Sequence, residues 1–395
     1  MRAPLFALMI LLTVNLLIDW YIWHQAKNRC HSGIWSRIQL YSAVFLTLSM
    51  IAEMILPARR GGDSTLLGKM WLLFAYLSVY LPKYIAVAFD LIGSIPRLWK
   101  KHRIKFLTKT GIALGIVVFG AFWWGAAINR FRIQVKEVTV GIDGLPASFD
   151  GFTIAQFSDL HTGTFMNDTT FVHKLVTRIN RLHPDVIVFT GDIVNRESSE
   201  MLPFVETLSR LHAPEGVYAI LGNHDYGDYR HWRSPSDKRR NMEMLFDAFS
   251  RTGIRLLCNT TQWLHTPSDS IALIGVENIG DPPFRTYGSL HASYPALGDS
   301  ITKVLLSHNP QHWADSICGN RDMNIALTLS GHTHAMQIEL ADISPAAMRY
   351  KTWGGLYADA DSTHQLYVNI GAGTVGLPAR IGATPEVTLI TLRRR

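Results

Sequence analysis

The sequence predicts two unlike parts, a bundle of apolar helices over residues 1–129 and an α/β domain over residues 130–395. Three observations lead there. Four long apolar runs fall within the first part. The basic excess is confined to it as well, with 14 Lys and Arg against 4 Asp and Glu, compared with 24 against 27 in the remainder. Beyond residue 133, short runs rich in β-branched residues alternate with stretches of helical spacing, which is the pattern of a layered α/β domain.

Residues 4–23 are almost wholly apolar, and roughly 20 such residues in a helix span a bilayer core. The second run covers residues 34–56, the third 66–92 and the fourth 111–128. No small-residue cleavage site follows the first run, so it is expected to stay in the protein as a helix and not to leave as a signal peptide. The third run is interrupted by Pro82, Lys83 and Asp90. Asp19, Glu53, Lys83 and Asp90 lie in or at the edges of the spans. Charges there are costly, and pairing within the bundle is the expected resolution.

Orientation follows from the basic loops. With four spans, Lys27, Arg29 and Arg37 share a side with Arg97, Lys100, Lys101, Arg103, Lys105 and Lys109, and the positive-inside rule assigns that side to the cytoplasm. The reading is an integral protein of the cell (inner) membrane with the domain after the fourth span facing outward. Arg59, Arg60 and Lys69 pull against it, and loss of the third span would reverse it. The lipid bilayer is the first expected partner.

The net charge of +7 belongs to the membrane part. The following domain is net acidic and lacks the basic footprint of a nucleic-acid binder, so no nucleic-acid partner is expected. Three cysteines, at positions 30, 258 and 318, are too few for a disulfide scaffold, although Cys258 and Cys318 could pair.

Trp123, Trp124 and Arg130 suit a membrane interface. Residues 134–142 alternate as a strand does, and residues 152–157, 185–189, 217–221, 303–306, 325–329 and 366–370 read as buried strands. Residues 170–182, 201–211 and 242–251 have helical spacing, with Asn167 or Asp168 placed to cap the first of these helices.

Nearly every strand runs into polar residues. They are Ser158-Asp159-Leu160-His161, Thr190-Gly191-Asp192, Gly222-Asn223-His224-Asp225, Ser307-His308-Asn309 and Ser330-Gly331-His332-Thr333-His334. Loops along one sheet edge are where α/β domains gather their sites. A donor set of carboxylate, amide and imidazole without thiolate favours Mn, Fe or Zn over a cysteine-rich structural zinc site. Asp159 and His161, two apart, can share an ion, as can His332 and His334. The donors are too many for one ion. Two divalent ions are expected, with Asp192 as the bridging carboxylate. Such a pair, about 3.5–4 Å apart, clamps both oxygens of an in-line displacement and supplies a bridging hydroxide as nucleophile. Phosphate esters suit it because their charge spreads over oxygens that metals can hold.

Taken in order, D-x-H, G-D, G-N-H-D, a lone His and G-H-T-H resemble the motifs of the calcineurin-like metallophosphoesterase superfamily, over about residues 150–390. The resemblance implies an αββα sandwich of two mixed sheets with helices outside. It also implies that Asp159, His161, Asp192 and His334 hold one metal, and that Asp192, Asn223, His308 and His332 hold the other. His224 would steady charge or protonate the leaving group, with Asp225 orienting it through a hydrogen bond. The stretch from Tyr367-Val368-Asn369-Ile370-Gly371 to Pro385-Glu386-Val387-Thr388-Leu389 is similar to the membrane-associated envelope branch, whose members carry N-terminal membrane segments. That branch commonly has two glycines and Gln after the last motif His, whereas this sequence has Ala335-Met336-Gln337.

Residues 226–241 carry Arg230, His231, Arg233, Lys238, Arg239 and Arg240. They form either a clamp for a phosphate or anionic head group, with Arg230 as the substrate contact, or a solvated loop. Arg285, Tyr287 and the stretch near Pro282 are placed to shape a pocket. Together these features predict a membrane-anchored phosphoesterase acting on an envelope or lipid component. The substrate would be a phosphate ester such as a phospholipid or a nucleotide-linked lipid. Two rivals remain: a cytoplasm-facing pyrophosphohydrolase of the UDP-diacylglucosamine type, and a non-catalytic metal-binding membrane organiser. A nuclease fits less well, because the domain is net acidic.

Overall fold

The computed structural model describes residues 2–29, 33–55, 63–282, 285–295 and 299–395. Cys30, Arg59 and Arg60 lie outside them, as does the side chain of Glu53. Internal contacts divide the chain into two compact units, one of residues 1–127 with 377–379 and one of residues 128–376 and 380–395.

The first unit consists of helices α1 (Arg2–Arg29), α2 (Ile34–Ile55), α3 (Asp63–Ser94) and α4 (Lys105–Ala127). Among the described residues, Ile34–Ala52, Thr65–Trp99 and Lys105–Phe131 are long and apolar enough to cross a membrane. Over its 28 residues, α1 covers the first predicted run. Pro82 does not end the third run, because α3 continues through it. Proline has no N–H for the carbonyl four residues back, but neighbouring groups in a bundle can tolerate that gap.

Among the described residues, Asp19, Lys83 and Asp90 are paired within the helices. Asp19 accepts from Gln39 at 2.8 Å and from the Tyr80 hydroxyl at 2.7 Å, and it meets Lys83 Nζ at 2.8 Å. Asp90 pairs with Arg103 and accepts from Tyr21. Each carboxylate is thereby neutralised within the bundle, as the cost of an isolated charge in lipid requires.

The second unit holds two six-stranded sheets. The first has the order β1 (Gln134–Ile142), β12 (Glu386–Arg394), β2 (Thr153–Phe157), β3 (Val186–Phe189), β4 (Val217–Ala219), β5 (Arg255–Leu256). The second has the order β10 (Gly355–Ala358), β11 (Gln365–Val368), β9 (Ile325–Ser330), β8 (Lys303–Leu306), β7 (Ser270–Gly275), β6 (Thr260–His265). Strands β2 to β5 pair in parallel, while β12 runs parallel to β1 and antiparallel to β2.

The period of two decides the layers. Val186 and Val188 of β3 join Ile154, Leu273, Val304, Leu306 and Leu327 in a core between the sheets. The alternate residues Ile187 and Phe189 face a second core with helices α5 (Thr170–Asn180) and α7 (Pro235–Thr252). A third core lies beyond the other sheet, where Ile274, Leu305, Ile325 and Val368 meet Trp313 and Ile317. Strands buried on both faces explain the continuous apolar runs in the sequence.

Three expectations need correction. Residues 201–211 form no continuous helix; a 3-10 turn at Leu202–Phe204 precedes the single-turn α6 (Val205–Leu208). Pro203 can occupy only the opening of a helix, so regular structure starts behind it. Cys258 and Cys318 do not pair, and both are free thiols. Lys238, Arg239 and Arg240 are not in a loop. They lie in the opening turns of α7, which is capped by Ser234 Oγ accepting from Asp237 N at 3.2 Å. At α5, Asp168 Oδ1 does accept from Thr170 N at 2.9 Å, although Thr169 is the residue that borders the helix.

Leu327 is fully buried between the sheets. Leu327→Ala should cost about 2–5 kcal/mol of stability, read as a lower thermal midpoint of the full-length chain in detergent. An unchanged midpoint would mean that the sheets do not pack through this layer.

Candidate metal centre

All five polar segments emerge from the strand ends described above, and backbone bonds continue the pairing beyond the strands. Asp159 N donates to Gly191 O at 2.9 Å and His161 N to Asp192 O at 3.1 Å. Gly331 N donates to His308 O, Ala372 N to Ser158 O and Gly373 N to Asp159 O. The last two tie the segment after β11 to the loop after β2, and so lock loops from both sheets together. Gly222 and Gly331 admit a close approach, since a Cβ on either would collide with the carboxylates of Asp192 and Asp159 respectively.

Two groups of donors result, Asp159 with His161 and His334, and Asp192 with His308 and His332. In the first, His161 Nε2 and His334 Nε2 face each other at 3.0 Å, with Asp159 Oδ1 3.3 Å from the latter. In the second, Asp192 Oδ2 lies 3.2 Å from His308 Nε2, and His332 Nδ1 lies 3.3 Å from the same nitrogen. Asn223 Oδ1 joins this group at 2.9 Å from His332 Nδ1. Asp192 Oδ2 also reaches towards the first group, 3.7 Å from His161 Nε2. Asp192 Oδ2 thus has a donor of each group within 4 Å.

The electrostatics suit cations. Burial holds the His161 and His332 imidazoles near 3, and His334 well below its usual range, so all three stay neutral with a lone pair to offer. At most one proton can sit between the facing nitrogens of His161 and His334. Burial alone would lower His308 too, but the Asp192 carboxylate outweighs it and lifts that imidazole to about 9. Asp192 itself is held well below the ordinary carboxylate range; His308 and the other imidazoles outweigh the burial that would raise it. Burial, with Asp192 nearby, raises Asp159 to about 6. A cation binding here would displace the proton on His308. Divalent ions thus fit the donor set.

Holding the donors in place strains the backbone. Asp159, His161, Asp192, His332 and His334 all have positive φ, between 48° and 75°. Ala335 and Met336 continue the left-handed run with φ of 52° and 45°. Glycines would enter this conformation freely at these two positions, whereas a side chain pays roughly 1–2 kcal/mol.

His224 sits beside the donors, its ring centroid 4.9 Å from that of His161. Asp225 does not orient it. The Asp225 carboxylate accepts from the backbone N–H groups of Gly222, Asp192, Ile193 and Val194 at 2.8–3.2 Å. Four donors converge on it because it lies fully buried beneath the loops after β3 and β4. His224 is positioned instead by Asn195, whose carbonyl lies 2.7 Å from Nδ1, and by Tyr229, whose ring stacks on it at 4.1 Å. Tyr229 OH also accepts from Asn223 Nδ2 at 2.8 Å, which turns the amide oxygen towards the donors. Tyr350 OH lies 3.0 Å from His332 Nε2 and so directs Nδ1 inward. Sequence reasoning missed Asn195, Tyr229 and Tyr350. Tyr229 lay in a segment read only for its cations, and the other two belong to no pattern. Arg230 is engaged by Glu197 and lies over Trp232. Tyr287 stacks on Tyr226 and donates to Asp228 at 2.6 Å.

A two-sheet sandwich whose strand ends gather two groups of carboxylate and imidazole donors defines a metal-dependent hydrolase domain. Residues 152–336 match the family model "Calcineurin-like phosphoesterase". Residues 1–130 match "Probable Calcineurin-like phosphoesterase, transmembrane domain". Similar proteins include "Uncharacterized metallophosphoesterase YkuE" of Bacillus subtilis, 31% identical over 69% of this chain and 90% of that one. "Transmembrane protein with metallophosphoesterase domain" of Danio rerio is 30% identical over 66% of this chain and 57% of its own length. "UDP-2,3-diacylglucosamine pyrophosphatase LpxG" of Chlamydia trachomatis is 31% identical over 68% and 91%. The chain belongs to the calcineurin-like metallophosphoesterase family, hydrolases of phosphate esters that use divalent metals, and it carries a transmembrane part.

Two substitutions separate structural from chemical roles. Asp225→Asn would turn an amide NH2 towards four backbone donors and should cost at least about 3 kcal/mol. The thermal midpoint should fall accordingly, whereas a loss of turnover with an unchanged midpoint would restore the orienting role. Met336→Gly, at a half-exposed position, should raise the midpoint by a few degrees; a fall would show that this turn carries no strain.

Proposed function

We propose that the chain is a membrane-anchored two-metal phosphoesterase acting on phosphate esters of an envelope or lipid component. The observation that carries the reading is the Asp192 carboxylate lying between two complete donor groups. In this reading Asp159, His161, Asp192 and His334 hold one ion, and Asp192, Asn223, His308 and His332 hold the other. When bound, such a pair supplies Lewis-acid clamping of phosphoryl oxygens and an activated water as nucleophile. His308 Nδ1 lies 2.7 Å from Thr190 O, so its Nδ1–H points at that carbonyl and Nε2 faces the site. Tyr350 fixes His332 in the opposite sense. With its Nδ1–H on the Asn195 carbonyl, His224 presents Nε2 for a proton to the leaving oxygen. Arg230, paired with Glu197, is the cation of this segment assigned to the substrate phosphate.

The domain division at residues 129 and 130 and an outward-facing catalytic unit in the cell membrane belong to this reading. If α1 crosses together with α2, α3 and α4, the cations around residues 97–109 lie on the cytoplasmic side and the catalytic unit faces outward. A second reading, a pyrophosphohydrolase of a nucleotide-linked lipid, is favoured by the similarity to the chlamydial pyrophosphatase.

The test is hydrolysis by the full-length chain in detergent with Mn²⁺, on aryl phosphate mono- and diesters and on UDP-2,3-diacylglucosamine, beside Asp192→Asn. Metal-dependent turnover of the simple esters, falling more than about 100-fold in the variant, is expected; loss of an outer-shell partner alone often costs 10–100-fold. Turnover of the nucleotide-linked lipid alone would establish the second reading. Tight metal binding with no turnover of any substrate would overturn both.

A further inference from the structure

We propose that the membrane unit holds one acyl chain of an anionic phospholipid in a cavity between α1, α3 and α4. The inference is independent of the metal centre. The cavity has a volume of about 430 Å³, within the range of small-ligand sites. Its walls are one face of each helix, chiefly Val79, Pro82 and Ala86 of α3, Ile112 and Ile116 of α4 and Ile22 of α1, with Lys83 also on the α3 wall.

The two ends differ in chemistry. Tyr21, Gln25, Asp90 and Thr108 line one end, where α1 and α3 finish and α4 begins. Val79, Ile116 and Phe119 line the other. Val79 and Asp90 are 11 residues apart on α3, which at helical rise is a depth of about 16 Å. An extended hydrocarbon fits that depth and a small polar metabolite does not. The charged groups on the walls offer no competing site, because Lys83 is taken by Asp19 and Asp90, at the polar end, by Arg103.

The polar end lies beneath the α3–α4 connection, where Arg97, Lys100, Lys101, Lys105 and Lys109 are exposed. Juxtamembrane cations of this density attract anionic lipid head groups. Trp99 and Phe106 are exposed beside them, as residues at the lipid–water boundary are. The amphiphilic cavity selects a chain bearing a head group, and the cations select a negative one.

The experiment is native mass spectrometry of the full-length chain in mild detergent, with phosphatidylglycerol or phosphatidylcholine of identical acyl chains, or glycerol phosphate. One phosphatidylglycerol per chain should be retained, at least tenfold more than phosphatidylcholine, with no retention of glycerol phosphate. Ala86→Phe should fill the cavity and abolish retention of both lipids. If that variant does not fold, Lys100→Gln with Lys101→Gln, on the exposed connection, should erase the preference and leave the thermal midpoint unchanged. Unsaturable binding of many lipids, equal retention of the two head groups, or indifference to the double variant would overturn the proposal. So would retention of glycerol phosphate, because the chain would then not be the element recognised.

Discussion

The metal centre rests on a backbone conformation that its residues do not favour. Five donor residues hold positive φ, at a cost of about 1–2 kcal/mol each. Such conformations persist only where the surroundings over-determine them. Here the surroundings are the loop-to-loop bonds among Asp159, Gly191, His161 and Asp192, and the ties from Ala372 and Gly373 across to the loop after β2. The Asp225 carboxylate completes the arrangement by gathering four backbone N–H groups under the loops after β3 and β4. Strain at the rim is thus balanced by hydrogen bonding just beneath it.

The same economy governs side-chain orientation. An imidazole offers two nitrogens, and a metal site works only if the right one faces inward. Thr190, Asn195 and Tyr350 each take up the outward nitrogen of one histidine, while Tyr229 turns the Asn223 amide. These partners come from different loops, so the site's precision belongs to the assembled sandwich and not to any one motif. The membrane unit follows a parallel rule, since each buried carboxylate there has its cation or hydroxyl on another segment of the bundle.

Much of this was legible in the sequence, for physical reasons that also mark the limits. Strands buried on both faces announce themselves as continuous apolar runs, which is why β2, β3, β8, β9 and β11 were visible. The edge strands β6 and β10, exposed on part of one face, carry no such signal. Donor residues stood out because Asp, Asn and His following a buried strand are chemically conspicuous. Tyr350 and Asn195 did not, since their roles arise from contacts closed only in three dimensions. Asp225 misled because its neighbour in sequence is a catalytic candidate, whereas its carboxylate faces backbone. Residues 201–211 misled because apolar spacing outvoted Pro203.

Strand β12 lies between β1 and β2, pairing Gln134 with Glu386. Until its residues leave the ribosome, β1 has no partner and the flank of β2 stays open. At 5–20 residues per second, that gap lasts on the order of 10 to 50 seconds, with β1 following directly on a membrane helix. Biogenesis therefore has a waiting period in which two strand edges stand bare. Shielding of those edges, by chaperone or bilayer, is thus a condition of folding separate from the stability of the finished sandwich.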